Sequence, residues 1–226
     1  MVASTAAMLL ITFNFFSSDF EKVSTQFADT RTVDLPDASF VTMNACSQLK
    51  IYKEDWDEER VIKLDGGAFF NVEKGNAFKV ETDNGIVEVL GTSFNVYARG
   101  DQFKVYCATG KLRVNTEGQQ ETILLLGQSV ILRNNQYKFW EKTPDNIAQD
   151  NWMKGEYVYN ANALSDVIAE IQRQFDVKIE IDQQLLEKYY TGSFYSGNLE
   201  NALMKVFWPL KLDYVIEGKR INITTK

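Results

Sequence analysis

An all-β region, either a sandwich or a solenoid-like stack, followed by a small α+β region of two β-α-β units is the fold class that this sequence predicts. Three observations predict it. From Phe20 to about Trp140, short runs alternate apolar and polar residues and are separated by turn chemistry at spacings of roughly 8 to 12 residues. Past about residue 150 the apolar residues recur instead at helical spacing. That helical series then appears twice, at a constant offset of 35 residues.

Composition narrows the function classes. The 226 residues are 45% hydrophobic and 24% charged, enough to bury a core in one or two domains. With 24 basic against 31 acidic residues the net charge is -7, and no lysine or arginine cluster occurs, which argues against nucleic acid as a partner. Histidine is absent, which removes histidine triads and histidine metal sites. No glycine-rich phosphate loop is present, and the acidic run Glu54-Asp55 and Asp57-Glu58-Glu59 around Trp56 lacks the alternating spacing of a calcium loop. The sequence therefore predicts no enzyme, no cofactor and no metal site.

Residues Val2 to Phe16 carry no charge, and the first charged side chains are Asp19, Glu21 and Lys22. This apolar run is slightly shorter than the about 20 residues of a spanning helix. It lacks the basic flank and small-residue cleavage site of a signal peptide. Residues 1–18 are read as the remnant of a transmembrane helix.

Residues 20–141 are read as one β-domain. Turn residues fall at Pro36-Asp37, Asp65-Gly66-Gly67, Lys74-Gly75-Asn76, Asp83-Asn84-Gly85, Arg99-Gly100-Asp101, Thr109-Gly110-Lys111, Glu117-Gly118 and Asn134-Asn135. Between them Phe70 with Val72, Phe78 with Val80, Phe103 with Val105 and Cys107, and Leu112 with Val114 form the inward face, so that Lys79, Lys104 and Arg113 face water. Val87 and Val89 share one face before Gly91, and Phe94 and Val96 share one after it, so Gly91 marks a corner between two strands. Cys46 and Cys107 are expected as free thiols, because Cys107 continues an apolar face.

Several of these segments, in order, carry a family resemblance. Val89-Leu90-Gly91-Thr92-Ser93-Phe94-Asn95-Val96, with Gly67-Ala68-Phe69-Phe70-Asn71-Val72 before it and Thr109-Gly110-Lys111-Leu112-Arg113-Val114 after it, resembles the periplasmic domain of FecR-like anti-sigma regulators. Gly91, Thr92, Phe94, Asn95, Val96 and Gly110 are the fold-defining positions of that match. Two departures stand out: Ala38 where the family usually has glycine, and Gly67 where it usually has glutamate. The Asp37-Ala38 turn is then expected to use a conformation that accepts a Cβ, and any ion pair through position 67 is lost.

Residues 142–150 are polar, contain Pro144 and lack a period, which reads as a linker. Residues 151–226 are read as a docking domain of order β-α-β-β-α-β-β. Leu164, Val167, Ile168, Ile171 and Phe175 form a helix face, with Asn160 or Asn162 available as cap, and Val177, Ile179 and Ile181 a strand. Leu199, Ala202, Leu203, Val206 and Leu210 repeat the helix face, and Leu212, Tyr214 and Ile216 the strand. True duplication and the fixed geometry of two similar units account equally well for the offset. A hairpin through Glu217-Gly218-Lys219 leads to a last strand.

Trp152, Gly155, Tyr157, Tyr159, Phe175, Thr191, Gly192 and Phe194 resemble the small domain that follows the FecR domain in Bacteroidetes-type members, a fold similar to the secretin and TonB short N-terminal module. Such modules dock through exposed strand edges. Arg220, Ile221, Asn222, Ile223 and Thr224, in the last strand, are the first candidates for that edge.

What the resemblance implies is an inner-membrane regulator with residues from about 20 onward in the periplasm. Its partners would be the periplasmic signalling domain of a TonB-dependent receptor and an extracytoplasmic-function sigma factor. The sigma factor would be held by a cytoplasmic segment before the membrane helix, a segment not found in this sequence. The competing reading is a periplasmic or cell-surface glycan- or peptide-binding module, with Trp56, Tyr97 and Tyr195 as a stacking platform.

Overall fold

The computed structural model describes residues 20–54, 56–134, 136–143 and 151–225. The membrane-helix reading of residues 1–18, and most of the linker, lie outside these. Of the linker, Thr143 is described: it is buried, and its hydroxyl donates to Ser129 Oγ at 2.9 Å.

The chain enters as β1 (Phe20–Ser24), β2 (Arg31–Asp34), β3 (Phe40–Met43) and β4 (Gln48–Tyr52), followed by the long β5 (Arg60–Asn71). Next come β6 (Phe78–Thr82), β7 (Gly85–Val89), β8 (Ser93–Arg99) and β9 (Gln102–Cys107). The β-region closes with β10 (Lys111–Asn115), β11 (Thr122–Leu125), β12 (Ser129–Arg133) and β13 (Gln136–Trp140).

Strand β5 holds these together because it has two sets of neighbours. Its first half pairs with β4 and β6, and its second half with β3 and β8. The order on one side of the fold line is β1-β4-β5-β6-β7-β10-β11, and on the other β2-β3-β5-β8-β9-β12-β13. One connected sheet of 13 strands therefore curls over on itself, which is the expected sandwich closed by shared strands. Its core is one apolar cluster from both halves, with Phe70 stacked on Phe94 at 5.0 Å and Phe78 edge-on to Trp56 at 6.1 Å.

The crossings between halves need small residues, for two different reasons. Gly66 has φ +123, and a Cβ there would lie 2.6 Å from Ser47 Cβ. The Ser47 hydroxyl instead donates to Gly67 O at 3.1 Å and accepts from Gly67 N at 3.0 Å, pinning the corner. Asp65-Gly66-Gly67 is thus a fold within one strand and not the chain reversal its composition suggests. Gly91 does mark a corner, but its freedom is not in φ: a Cβ would meet Lys74 Cα at 2.8 Å.

Beyond β13 the chain forms β14 (Glu156–Ala163), α1 (Leu164–Phe175), β15 (Lys178–Glu180), β16 (Tyr189–Tyr195), α2 (Leu199–Phe207), β17 (Leu212–Glu217) and β18 (Arg220–Thr225). Order and type match the expected small α+β region, with a second apolar cluster of its own built on Leu164, Val167, Ile168 and Ile171 of α1 and Ala202, Leu203 and Val206 of α2. Pairing differs from two self-contained β-α-β units: β14 pairs with β16, and β15 and β17 flank β18. The predicted caps differ too. Asn160 and Asn162 lie within β14, α1 starts after Ala163 without a side-chain cap, and Asn198 caps α2 by accepting from Asn201 N.

Strand β18 is the largest correction. Ile221 and Ile223 point inward as expected, yet β18 is the middle strand, with main-chain ladders to both sides. Arg220, Ile221 and Asn222 therefore offer no free edge, because parallel pairing with β15 uses the donors that the hairpin with β17 leaves over, whereas Ile223 and Thr224 are laddered to β17 alone.

Near β3, Arg60 is buried and donates to Asp37 Oδ2 at 2.5 Å and Glu73 O at 3.0 Å, with Phe78 beneath its guanidinium. Burial acts to raise the Asp37 pKa, but hydrogen bonds from Ser39 and Arg60 outweigh it and hold the carboxyl below its ordinary value. Asp37 so depressed stabilises the fold above its unfolded pKa, and that contribution is lost as pH falls through the folded value.

Two outcomes follow from these local geometries. Ala38 does not escape the left-handed region: its φ is +64. Ala38→Gly is expected to raise stability by about 1 kcal/mol in urea titration, since L-residues carry roughly that cost in this region; an unchanged or lower midpoint would show that the turn stores no strain. Cys46 and Cys107 are both free, and burial raises both thiols, Cys107 to about 11. Intact-mass analysis after alkylation in urea should find two modified thiols without reductant, and none or one modified would contradict this arrangement.

Candidate docking interface

Part of the outward face of the second half-sheet, on β8, β9 and β12, is covered by the C-terminal region. Helix α1 is amphipathic twice over: its apolar stripe faces the C-terminal core, while Asp166, Glu170, Arg173 and Gln174, at i, i+4, i+7 and i+8, form a polar stripe on an adjoining face. That polar stripe lies on strands β8, β9 and β12.

Three contacts make up the centre of the join. Arg133 grips Asp166 with both guanidinium nitrogens, at 2.6 and 3.2 Å, and Gln102 Nε2 donates to the same carboxylate at 2.8 Å. Glu170 receives Arg173 at 2.6 Å and Gln174 at 2.9 Å, and the Arg173 guanidinium also donates to Tyr97 Oη at 3.2 Å. Asn44 Oδ1 accepts from Gln174 Nε2 at 2.8 Å and from the Tyr157 hydroxyl at 3.4 Å. At one margin Trp152 Nε1 donates to Asn95 Oδ1 at 2.9 Å, and at the other Ala28 N donates to the last-turn carbonyl of Arg173 at 2.8 Å.

Electrostatics follow from packing charged groups between two apolar bodies. Burial raises the Tyr97, Tyr157 and Tyr159 hydroxyls and lowers the Lys104 ammonium and Arg99 guanidinium. Burial alone would also lower Arg173, but the Glu170 carboxylate reverses the sign and raises it. Lys104 is thus on the covered face and not the solvated one, with its ammonium 5.0 Å from the Tyr97 ring centroid.

The sequence-predicted positions divide into those that meet and those that do not. Asn95 and Trp152, from separate motifs, touch across the join. Thr92 donates to Lys111 O at 2.9 Å, while Phe94 and Val96 are core, and Gly110 takes φ +65 at the β9–β10 corner. Thr191 Oγ1 accepts from Ala161 N at 2.9 Å, and Gly192 leaves room for the Tyr190 ring. Gly155, at φ +77, turns the chain into β14. Trp56, at 7% exposure, is core; Tyr97 lies beneath Lys104; Tyr195 alone is well exposed, at 48%. Those three rings form no stacking platform. Arg99-Gly100-Asp101 is the β8–β9 turn, with Arg99 donating to the carbonyls of Ala45 and Cys46. The residues that sequence reasoning missed are Asn44, Gln102, Arg133, Asp166, Glu170, Arg173 and Gln174. The helical spacing of the last four was the available signal.

Among the described residues, the rim strands of each sheet have a ladder on one side only. In the three-stranded sheet these are β15, of three residues, and β17, of six, where Val215 is 55% and Ile216 37% exposed. Among the described residues no helix is long and apolar enough to cross a membrane, and no acidic or cysteine cluster is placed to hold a metal.

The geometry matches known proteins along nearly the whole chain. The pattern of the FecR protein family matches residues 21–113, and that of the FecR C-terminal region matches residues 156–223. Two crystal structures of a candidate anti-sigma factor from Parabacteroides distasonis ATCC 8503, at 2.50 and 1.65 Å resolution, superpose with TM-scores of 0.82 and 0.81. Each is 26% identical in sequence and covers 92% or 91% of this chain and 99% of its own. No curated protein sequence matches.

The Glu170–Arg173 pair lies within α1, both side chains mostly buried, and tests the helix face that meets the β-region. Glu170→Leu should cost roughly 3 to 5 kcal/mol by leaving Arg173 unpaired beside Arg99, and adding Arg173→Leu should recover part of that loss. Urea titration of both variants decides it; a double variant less stable than the single would overturn the assignment.

Proposed function

Because the chain belongs to the FecR protein family, we propose that it is the periplasmic part of a membrane-tethered anti-sigma regulator. Family and structural likeness support an anti-sigma, signalling role. In this reading residues 151–226 form a docking domain for the periplasmic signalling domain of a TonB-dependent outer-membrane transducer. Residues 20–141 pass the signal toward the inner membrane, and an extracytoplasmic-function sigma factor receives it in the cytoplasm.

The observation that carries this reading is the polarity of the join. Two regions with separate apolar cores meet through hydrogen bonds and the Arg133–Asp166 ion pair rather than through a shared core. A polar join of this kind contributes about 0.5 to 1.5 kcal/mol per hydrogen bond, and relative movement across it is the ordinary expectation. A partner that binds one region better when the join is open can therefore shift its position, and a relay needs such a two-state element.

The docking edge in this proposal is β17, since β18 is the middle strand and is paired on both sides over its first three residues. Strand addition there uses main-chain donors and acceptors, with Val215 and Ile216 supplying apolar contact. Of Val215→Pro and Ile216→Pro, one removes a donor from the ladder to β18 and the other a donor that faces outward. The variant that keeps its circular dichroism spectrum should bind the cognate transducer's signalling domain about tenfold more weakly in calorimetry. Unchanged binding by that folded variant would rule out β17 as the docking edge.

A further inference from the structure

Between the outward face of β8, β9, β12 and β13 and the first turns of the C-terminal region lies a cleft of about 270 Å³. Strand register builds its floor: Tyr97, Lys104, Ile131 and Lys138 stand opposite one another in a single row across four strands. Trp140 belongs to the next row on one side and Gln102 to the next on the other. Trp152, Tyr157 and Tyr159 form the opposite wall.

Two ammonium groups and three carboxylates line this cleft, and the ammonium groups are not paired with those carboxylates. Every carboxylate that lines it is already supplied with a donor: Asp166 by Arg133 and Gln102, Glu170 by Arg173 and Gln174, and Glu156 by the Tyr195 hydroxyl. Lys104 and Lys138 have no carboxylate within ion-pair distance among the described residues; their ammonium groups rest over the rings of Tyr97 and Trp140, at 5.0 and 4.0 Å. Burial lowers the Lys104 pKa, and the Asp166 and Glu170 carboxylates offset only part of that desolvation.

Two uncharged atoms are also left over. Gln102 is 9% exposed, and its Nε2 is held by Asp166, which orients Oε1 as a buried acceptor without a donor. Trp140 Nε1 is a buried donor without an acceptor. A buried polar atom left unpaired costs about 1 to 3 kcal/mol, so native structures rarely keep two around one cavity without a group that answers them.

We propose that this cleft binds a small carboxylate that also carries a hydroxyl or amino donor, such as a sugar acid, hydroxy acid or amino acid. The carboxylate meets the ammonium of Lys104 or Lys138 and Trp140 Nε1–H; the donor answers Gln102 Oε1. The volume sits just below the usual range for drug-sized ligands, which suits a molecule the size of one sugar or amino acid. Because the floor comes from the β-region and the opposite wall from the C-terminal region, an occupant contacts both sides of the join. This site stands on the cleft alone and holds or fails without any transducer.

Calorimetry on the full chain with glucuronate, lactate and glutamate tests it. At least one should bind saturably, while glucose, without the carboxylate, and acetate, without the donor, should bind about tenfold more weakly or not at all. Lys104→Met, which keeps the stem and removes the charge, should weaken binding about tenfold, and Lys138→Met should weaken it less because Lys138 is exposed. Thermal unfolding of the unliganded Lys104→Met protein should match or exceed that of the wild type, since no carboxylate loses a partner. Failure of all three acids to bind, equal affinity for acetate, or wild-type affinity in a folded Lys104→Met protein would overturn the proposal.

Discussion

The reach of the chain after β5 is the constraint on which the β-region depends. Asn71 ends β5, and seven residues later Phe78 must lie beside Arg60, at the start of the same strand. Seven steps of extended chain span at most about 25 Å, whereas a straight strand of this length runs to roughly 36 Å. The parallel β5–β6 pair is possible only because the strand folds over at Gly66. Once that fold exists, the chain crosses the same line wherever consecutive strands belong to different halves, and two of these crossings, β7 to β8 and β9 to β10, use Gly91 and Gly110. A curled sheet with one core is the consequence.

The same fold decides what the second half-sheet presents outward. Alternation sends Phe70, Phe94, Val96, Phe103 and Val105 inward, so Tyr97, Lys104 and Gln102 must face out. In an isolated domain these would be solvated. Here they lie under the C-terminal region, where the polar stripe of α1 bonds Tyr97 Oη and Gln102 Nε2, while the Lys104 ammonium rests over the Tyr97 ring. Pairing charge with charge adds little to net stability once desolvation is subtracted, but it makes the join specific in orientation and able to part without exposing a core. The Arg133–Asp166 pair serves that end across the join, and the Glu170–Arg173 pair within α1 holds Arg173 toward Tyr97, in contrast to Arg60–Asp37, which lies within the β-region alone.

Much of this was legible in local period. Alternation predicted the β-region, and the 3.6-residue recurrence of Leu164, Val167, Ile168 and Ile171 predicted α1, because each pattern reflects contacts its own element makes. What local period does not carry is the identity of the neighbour. Ile221 and Ile223 alternate in the same way whether β18 lies at an edge or in the middle, and Gly66-Gly67 offers the same backbone freedom to a tight turn as to a folded strand. Lys104 reads as solvated for the same reason: its strand shows one apolar face, and nothing nearby in sequence announces the helix that covers the other. Of the join, Asn95 and Trp152 stood in motifs, whereas Asp166, Glu170, Arg173 and Gln174 were hidden in plain helical spacing beside a stronger apolar stripe.

The repeat in the C-terminal region bears on which rim can accept a strand. The 35-residue offset superposes α1 on α2 and β15 on β17, and the observed pairing respects it, since β14 pairs with β16 and the two later strands flank β18. Sequence repetition thus makes β15 and β17 equivalent rims of one sheet. They are not equal in length: β15 offers three residues and β17 six, and the three-residue rim of β15 matches one of the ways native sheets blunt an edge. Main-chain recognition gains with every residue added to the ladder, which is the reason the proposed docking edge is the longer rim. The strand with no counterpart in the repeat, β18, occupies the centre and leaves both rims open, and the asymmetry in length then selects β17.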